Sequence, residues 1–207
     1  KREKFLKEEQ GRKILKRCGI SMEMLNLYET TEPLSYYVHT RKIPQNLLIV
    51  ENKDTFYSMR KHLLSGENKE NQILGVSIGT LIYGAGKGIL RSFEDFNLCV
   101  EPYMRAKENH IYYFGDLDYE GIGIYEKLAL LFQENCTIRP FCEAYLKMYE
   151  KTETIGIKSM PRMKEGQNQN IEELFWSFFK KQDAEKMKEL LRMGQYIPQE
   201  ILSVKDL

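Results

Sequence analysis

Short, wholly apolar runs alternate along this chain with stretches in which apolar residues return every three or four positions, and the two periods predict strands and helices respectively. Leu47-Leu48-Ile49-Val50 is apolar at every position and ends β-branched, the pattern of a strand buried on both faces, with Glu51 at its carboxyl end. Residues 54–65 predict a helix, with Asp54 as N-cap and Phe56, Met59, Leu63 and Leu64 on its inner side. A polar loop at 66–71 follows. Residues 73–76 and 80–83 read as strand material interrupted by Gly79 and closed by Gly84-Ala85-Gly86, with another helix from about Lys87. His-Ile-Tyr-Tyr-Phe at 110–114 is a second buried-strand pattern, and it delivers Gly115-Asp116-Leu117-Asp118 at its end. Residues 119–133 continue as a helix carrying Ile122, Tyr125, Leu128, Ala129 and Phe132 on one face, and 137–141 is a further short strand. The remainder is helical in character, broken by Gly156, Pro161 and Gly166, while 3–18 places Phe5, Ile14 and Leu15 at helical spacing before a looser stretch to Pro44.

Strands alternating with helices predict an α/β fold, a parallel sheet covered on both faces, with ligands at the carboxyl ends of the strands. The chain divides on this reading into a helical or irregular lead-in (1–44), a core (45–150) and a helical extension of the same domain (151–207). The opening at Lys1, inside what reads as a charged helix, points to an upstream region. Composition agrees with a folded domain: 207 residues, 42% hydrophobic, 13 tyrosines and 10 phenylalanines. Net charge is only +1, so no global basic field exists and any nucleic-acid contact is local. The basic residues of 1–17 are interrupted by Glu3, Glu8 and Glu9, which makes that segment a solvated helix face. Cys18, Cys99, Cys136 and Cys142 have neither zinc nor disulfide spacing, and no apolar run reaches the length of a membrane span. A cytoplasmic, reduced protein is expected.

Asp116 and Asp118, two apart on an extended segment, project to the same side. Two carboxylates aimed together need a cation or a shared proton between them. Magnesium meets that need with hard oxygen ligands from one or two carboxylates, water and substrate phosphate. Gly121 and Gly123 follow, where small residues let a phosphate approach a helix start. Glu51, at the end of another central strand, lies across the same crevice and is suited to general acid or base work beside a metal. An Asp-x-Asp after a strand also serves as ordinary turn and cap chemistry, so the weight rests on the joint placement of the three acids.

These residues carry a family resemblance. Leu-Leu-Ile-Val-Glu-Asn-Lys (47–53) and Tyr-Phe-Gly-Asp-Leu-Asp-Tyr-Glu-Gly (113–121) resemble the Toprim signature, a glutamate after one strand and Asp-x-Asp after another. Together with Gly-Ala-Gly-Lys-Gly (84–88), and more weakly Tyr-Ile-Pro-Gln-Glu-Ile (196–201), they resemble the carboxyl-terminal domain of JetD, the nuclease subunit of the Wadjet plasmid-defence system, related to the A subunit of topoisomerase VI. The resemblance covers about residues 45–202. It implies a Rossmann-like Toprim sheet with helical additions at both ends, and magnesium-dependent DNA cleavage, with manganese as an alternative metal. Glu51, Asp116 and Asp118 correspond to the catalytic and metal-binding acids. Glu143 falls where the family places another acid, here Glu rather than the expected Asp, and its other reading is an exposed helix-start glutamate. Partners implied are plasmid DNA, SMC-like Wadjet subunits and a second copy of the chain. A topoisomerase-like transesterase and an RNA-processing nuclease remain alternatives, as does a non-catalytic DNA-binding or assembly subunit. Tyr28, Tyr36 and Tyr37 precede the block, yet the short lead-in leaves little room for the upstream domain that would carry a covalent tyrosine, so hydrolysis by water is expected.

Other motifs carry less. Gly84-Ala85-Gly86-Lys87-Gly88 is no Walker loop, since Leu81 stands at the first glycine position and Gly88 follows the lysine; Ile89 breaks the dinucleotide pattern. Lys87 and Lys53 are candidate phosphate contacts. His39, His62 and His110 lack partners at ligand or triad spacing, and Phe175, Trp176, Phe178 and Phe179 suit core packing.

Overall fold

The computed structural model describes residues 5–26, 32–65, 71–164 and 166–207; residues 1–4 of the basic segment, Tyr28 and the loop at 66–70 lie outside the described residues. Two compact units are present, Lys1–Glu32 and Pro33–Leu207. In the first, helix α1 (Glu9–Arg17) buries Leu15 and shows its charged residues to solvent, with Lys13 Nζ 2.6 Å from Glu9. Among the described residues no helix is long and apolar enough to cross a membrane.

The second unit is built on a five-stranded sheet. In chain order its strands are β1 (Ser35–Val38), β2 (Asn46–Val50), β5 (Thr80–Tyr83), β6 (His110–Phe114) and β7 (Ile138–Pro140), arranged in space as β1-β5-β2-β6-β7. β5, β2, β6 and β7 are mutually parallel, as the apolar runs predict, and β1 closes one edge antiparallel to β5. That edge strand lies in the stretch read from sequence as lead-in. Its Ser-Tyr-Tyr-Val is only half-buried and lacks the apolar continuity of a central strand. A small hairpin, β3 (Gln72–Ile73) and β4 (Val76–Ser77), replaces the continuous strand expected at 73–76, because Leu74 and Gly75 take φ of 50° and 81°, the left-handed pair that a tight hairpin turn requires.

β2 is buried throughout: Leu47, Leu48, Ile49 and Val50 have no exposed surface. Because side chains alternate along a strand, the aligned Val50, Tyr83 and Phe114 face one side of the sheet, and Ile49, Ile82 and Tyr113 the other. Helix α2 (Lys53–Leu64) covers the first side through Phe56 against Tyr83, and α6 (Cys142–Ile155) covers it through Tyr145 against Phe114. Helix α5 (Tyr119–Leu131) covers the second side through Tyr125 against Tyr113. The expected α/β, Rossmann-like architecture is therefore present and is compatible with a Toprim fold. The cap of α2 is Asn52 rather than Asp54: its side-chain oxygen accepts from the backbone N–H of Asp54 (2.7 Å) and Thr55 (3.1 Å). Leu64, expected inside, is 62% exposed at the helix end, and Thr55 takes an inner position instead. The helix expected after Lys87 is short, α3 (Gly88–Ser92), and α4 (Phe96–Cys99) follows it.

Two long-range returns complete the unit. Residues 172–179 cross α5, where Glu126, a buried carboxylate in mid-helix, accepts the backbone N–H of Glu172 (2.6 Å) and Phe175 (3.1 Å). Phe175 then packs edge-on against Tyr125, Tyr145 and Trp176. After α7 (Lys181–Arg192) the chain comes back to the carboxyl end of β6, and Ile197 exchanges both backbone hydrogen bonds with Leu117. Glu126 is thus structural. Glu126→Ala leaves the buried Phe175 N–H and the part-buried Glu172 N–H without this acceptor, and the urea midpoint should fall by the equivalent of about 1–3 kcal/mol with the slope unchanged.

Candidate active site

A parallel sheet opens a crevice where successive connections leave in opposite directions. Here β2 leads outward to β5 on one side, while β6 lies on its other side, so the crevice falls between the carboxyl ends of β2 and β6. Glu51 follows β2 there, its N–H bonded to the Phe114 carbonyl at 2.9 Å. Gly115, Asp116 and Asp118 follow β6. The structure therefore brings together the three acids read from sequence.

Glu51 is held from several sides. The Tyr113 hydroxyl donates to its Oε2 at 2.9 Å, and a Cβ on Gly115 would collide with that same oxygen. A side chain at 115 would push the Glu51 carboxyl from this position, and the Gly115 N–H is taken by the buried Tyr145 hydroxyl at 2.9 Å. On the other flank, Ala85 and Gly86 at the end of β5 adopt left-handed φ of 52° and 61°, which curls the turn beside Glu51.

Asp116 Oδ1 accepts the backbone N–H of Gln199 at 2.8 Å, so the returning C-terminal segment reaches the first acid directly. Leu117 turns into the core with no exposed surface, which leaves Asp118 two positions on in extended conformation. Asp118 caps α5 by accepting from Gly121 N at 2.7 Å with Oδ1, and takes the Gln167 side-chain amide at 2.8 Å with Oδ2. Gly121 is required as well: a Cβ there would strike the Asp116 carbonyl. Cap and candidate ligand are thus one residue.

The other predicted positions separate. Lys87, exposed, pairs with Glu120 at 2.7 Å and lies within electrostatic reach of Asp118 and Glu51. Lys53 is exposed on the first turn of α2. Glu143 is exposed at the start of α6; the charges raising Glu51 are Asp116, Asp118 and Glu120 and those raising Asp116 are Glu200 and Asp118, while that of Glu143 acts on Tyr112, on the opposite face of β6 from Tyr113. His62 is half-buried and bonds the Gln72 carbonyl at 3.0 Å, a structural role; His39 and His110 are exposed. Phe175 and Trp176 are core. Sequence reasoning missed Tyr113, Gln167, Gln199 and Glu200, whose Oε1 accepts from Asn52 Nδ2 at 2.6 Å. Only the 196–201 resemblance hinted at the last two, because nothing local ties them to residues some 80 to 150 positions away.

Burial raises Glu51 to about 7 against the hydrogen bond from Tyr113, and Asp116, Asp118 and Glu120 push in the same direction as burial. Burial likewise raises Asp116 to about 6, opposed by the Gln199 N–H and reinforced by Glu200 and Asp118. Carboxylates that resist ionisation this near neutrality lack a compensating cation. Among the described residues no three His, Cys, Asp or Glu side chains close on one point as a ready metal cage. The donor set is nonetheless all hard oxygen, and the approach is kept open by glycines 115 and 121, where a Cβ would intrude. These residues fit a divalent ion that retains water, as magnesium does. A raised carboxyl value leaves stability unchanged below the unfolded value of 4.5, costs stability as pH rises from there to the folded value of about 7, and adds no further loss above it. Metal-free protein should therefore lose on the order of 2 kcal/mol between about pH 4.5 and 7 and level off above that, and Glu51→Gln should flatten that decline in urea titrations; magnesium should bind more tightly as pH rises across the same interval, with proton release seen by calorimetry.

A comparison with curated proteins finds no match. The family described as the C-terminal part of Wadjet protein JetD matches residues 8–203, nearly the full 207-residue length, and the chain belongs to that family.

Proposed function

We propose that this chain carries the nuclease centre of a Wadjet anti-plasmid system, a Toprim-type site that hydrolyses DNA phosphodiesters with magnesium or, in its place, manganese. The observation that carries this reading is the convergence of Glu51, Asp116 and Asp118 at the sheet's switch point, with Glu51 and Asp116 raised toward neutrality chiefly by burial. Asp116 and Asp118 would hold the ion, with Glu51 facing it. When bound, the metal supplies positive charge to the phosphoryl oxygens and acidifies water. Glu51, near 7 in the metal-free site, is placed to take a proton from an attacking water or return one to a leaving oxygen at neutral pH. Tyr113 fixes the Glu51 carboxyl by its 2.9 Å hydrogen bond, and Lys87 at the same rim can meet a phosphate once Glu120 releases it.

With a net charge of +1, recruitment of plasmid DNA belongs to partner subunits of the SMC-like kind and to a second copy of the chain, acting in the cytoplasm. Water is the nucleophile in this reading: Tyr36 and Tyr37 are committed to the edge strand β1, away from the carboxyl-end crevice between β2 and β6. A second reading, a DNA-binding or assembly subunit without catalysis, is favoured by one observation, that both Asp118 oxygens already hold structural hydrogen bonds.

Supercoiled plasmid incubated with the full-length protein and its partner subunits separates the two. Magnesium-dependent linear product should appear, and Glu51→Ala and Asp118→Asn should each lower the rate by at least about 100-fold. DNA binding that persists with no metal-dependent cutting, unchanged by either substitution, would establish the second reading instead.

A further inference from the structure

Two glutamines beside the acids are incompletely satisfied. Gln199 has no exposed surface, and both its side-chain Nε2 and Oε1 are buried without a hydrogen-bond partner. Its backbone N–H holds Asp116, and its side-chain amide faces the same carboxyl outside hydrogen-bonding geometry. Gln167 repeats the arrangement on the second aspartate: Nε2 donates to Asp118 Oδ2 at 2.8 Å, while Oε1 is buried and unpartnered. Each glutamine thus has one group on one member of the Asp-x-Asp pair and an idle carbonyl oxygen next to it.

A buried polar group left idle costs about 1–3 kcal/mol, and native interiors rarely tolerate it without a function or a missing partner. An amide oxygen accepts only, so the partner of both Oε1 atoms must bring donors. The neighbouring cation, Lys87, is engaged by Glu120; the Tyr196 hydroxyl lies within electrostatic reach of both aspartates, yet no hydrogen bond joins it or any carboxyl to either amide oxygen. A hydrated dication has the required form: its bound waters point their protons outward, and magnesium gives up few of its waters to protein ligands. The pattern also accounts for acids that converge without closing a three-ligand cage, since part of the coordination sphere would be water.

We propose that Gln167 and Gln199 form an outer shell that hydrogen-bonds the water ligands of a hydrated divalent cation held at Asp116 and Asp118. This rests on the metal-dependent reading above. The two amides select a metal that stays hydrated and orient its waters, so they are positioning residues.

The test is calorimetric titration of magnesium and manganese into the full-length protein, its Gln199→Leu and Gln167→Leu variants, and Asp118→Asn, with metal-free melting temperatures measured alongside. Gln199→Leu keeps the backbone N–H on Asp116 and removes only the idle amide. It should weaken metal binding by about 10- to 100-fold while the metal-free melting temperature holds or rises; Gln167→Leu should weaken binding similarly. Manganese water-proton relaxation should report altered water ligands in both variants. Binding within about twofold of wild type in Gln199→Leu, with Asp118→Asn binding lost, would overturn the outer shell and leave the amides to an ordinary buried water. A wild-type protein that takes up no metal would overturn the metal-dependent reading itself, and the outer shell with it.

Discussion

Everything at this site follows from placing carboxylates where the sheet's parallel strands end and solvent is largely excluded. Burial works against the charged form of Glu51 and Asp116, and each neighbouring acid adds to the penalty. Such an arrangement survives only where hydrogen bonds and steric allowances are supplied from elsewhere. Tyr113 supplies one to Glu51 and the Gln199 N–H another to Asp116, while glycines 115 and 121 make room that any side chain would close. The residual shortage of positive charge is the property that makes the crevice a candidate for a cation.

The supports are themselves supported. Tyr145 holds the Gly115 N–H from α6, and its ring rests on Phe114 and Phe175. Phe175 is seated by the Glu126 carboxylate through its backbone N–H, and its ring meets Tyr125, which meets Tyr113. An aromatic layer thus runs from α5 and α6 to the strand that presents the acids. Rings of this kind have few rotatable bonds and bury large areas, which suits them to fixing a hydroxyl to within a fraction of an ångström.

The chain belongs to the JetD C-terminal family, and in the proposed reading its chemistry lies at the clustered acids. The surface charge adds a separate constraint. Lys87, a cation within electrostatic reach of the acids, is already paired with Glu120, and the chain as a whole is almost neutral. A polyanion gains little attraction from such a surface by itself. In the proposed nuclease this places substrate capture with the assembly, and leaves to this chain the alignment of a phosphodiester against its acids.

The sequence alone determined the four parallel strands and the principal helices, because a strand buried on both faces has to be apolar at every position and a covering helix must repeat at three and four. It also determined the central acids, since Glu51 and Asp116-Leu117-Asp118 stand immediately after such strands and inherit their positions from chain continuity. Local chemistry misled by two residues at the cap of α2, where Asn52 and Asp54 both fit the pattern and only the helix geometry selects Asn52. The half-polar β1 carried too weak a period to be read, and pairing with β5 is what makes it a strand. Glu143 stands exposed at the start of α6, where its charge acts on Tyr112. Tyr113, Gln167, Gln199 and Glu200 belong to the tertiary structure alone. Their partners lie 49 to 148 positions away along the chain, and no periodicity or spacing encodes a contact that exists only once separate segments have packed.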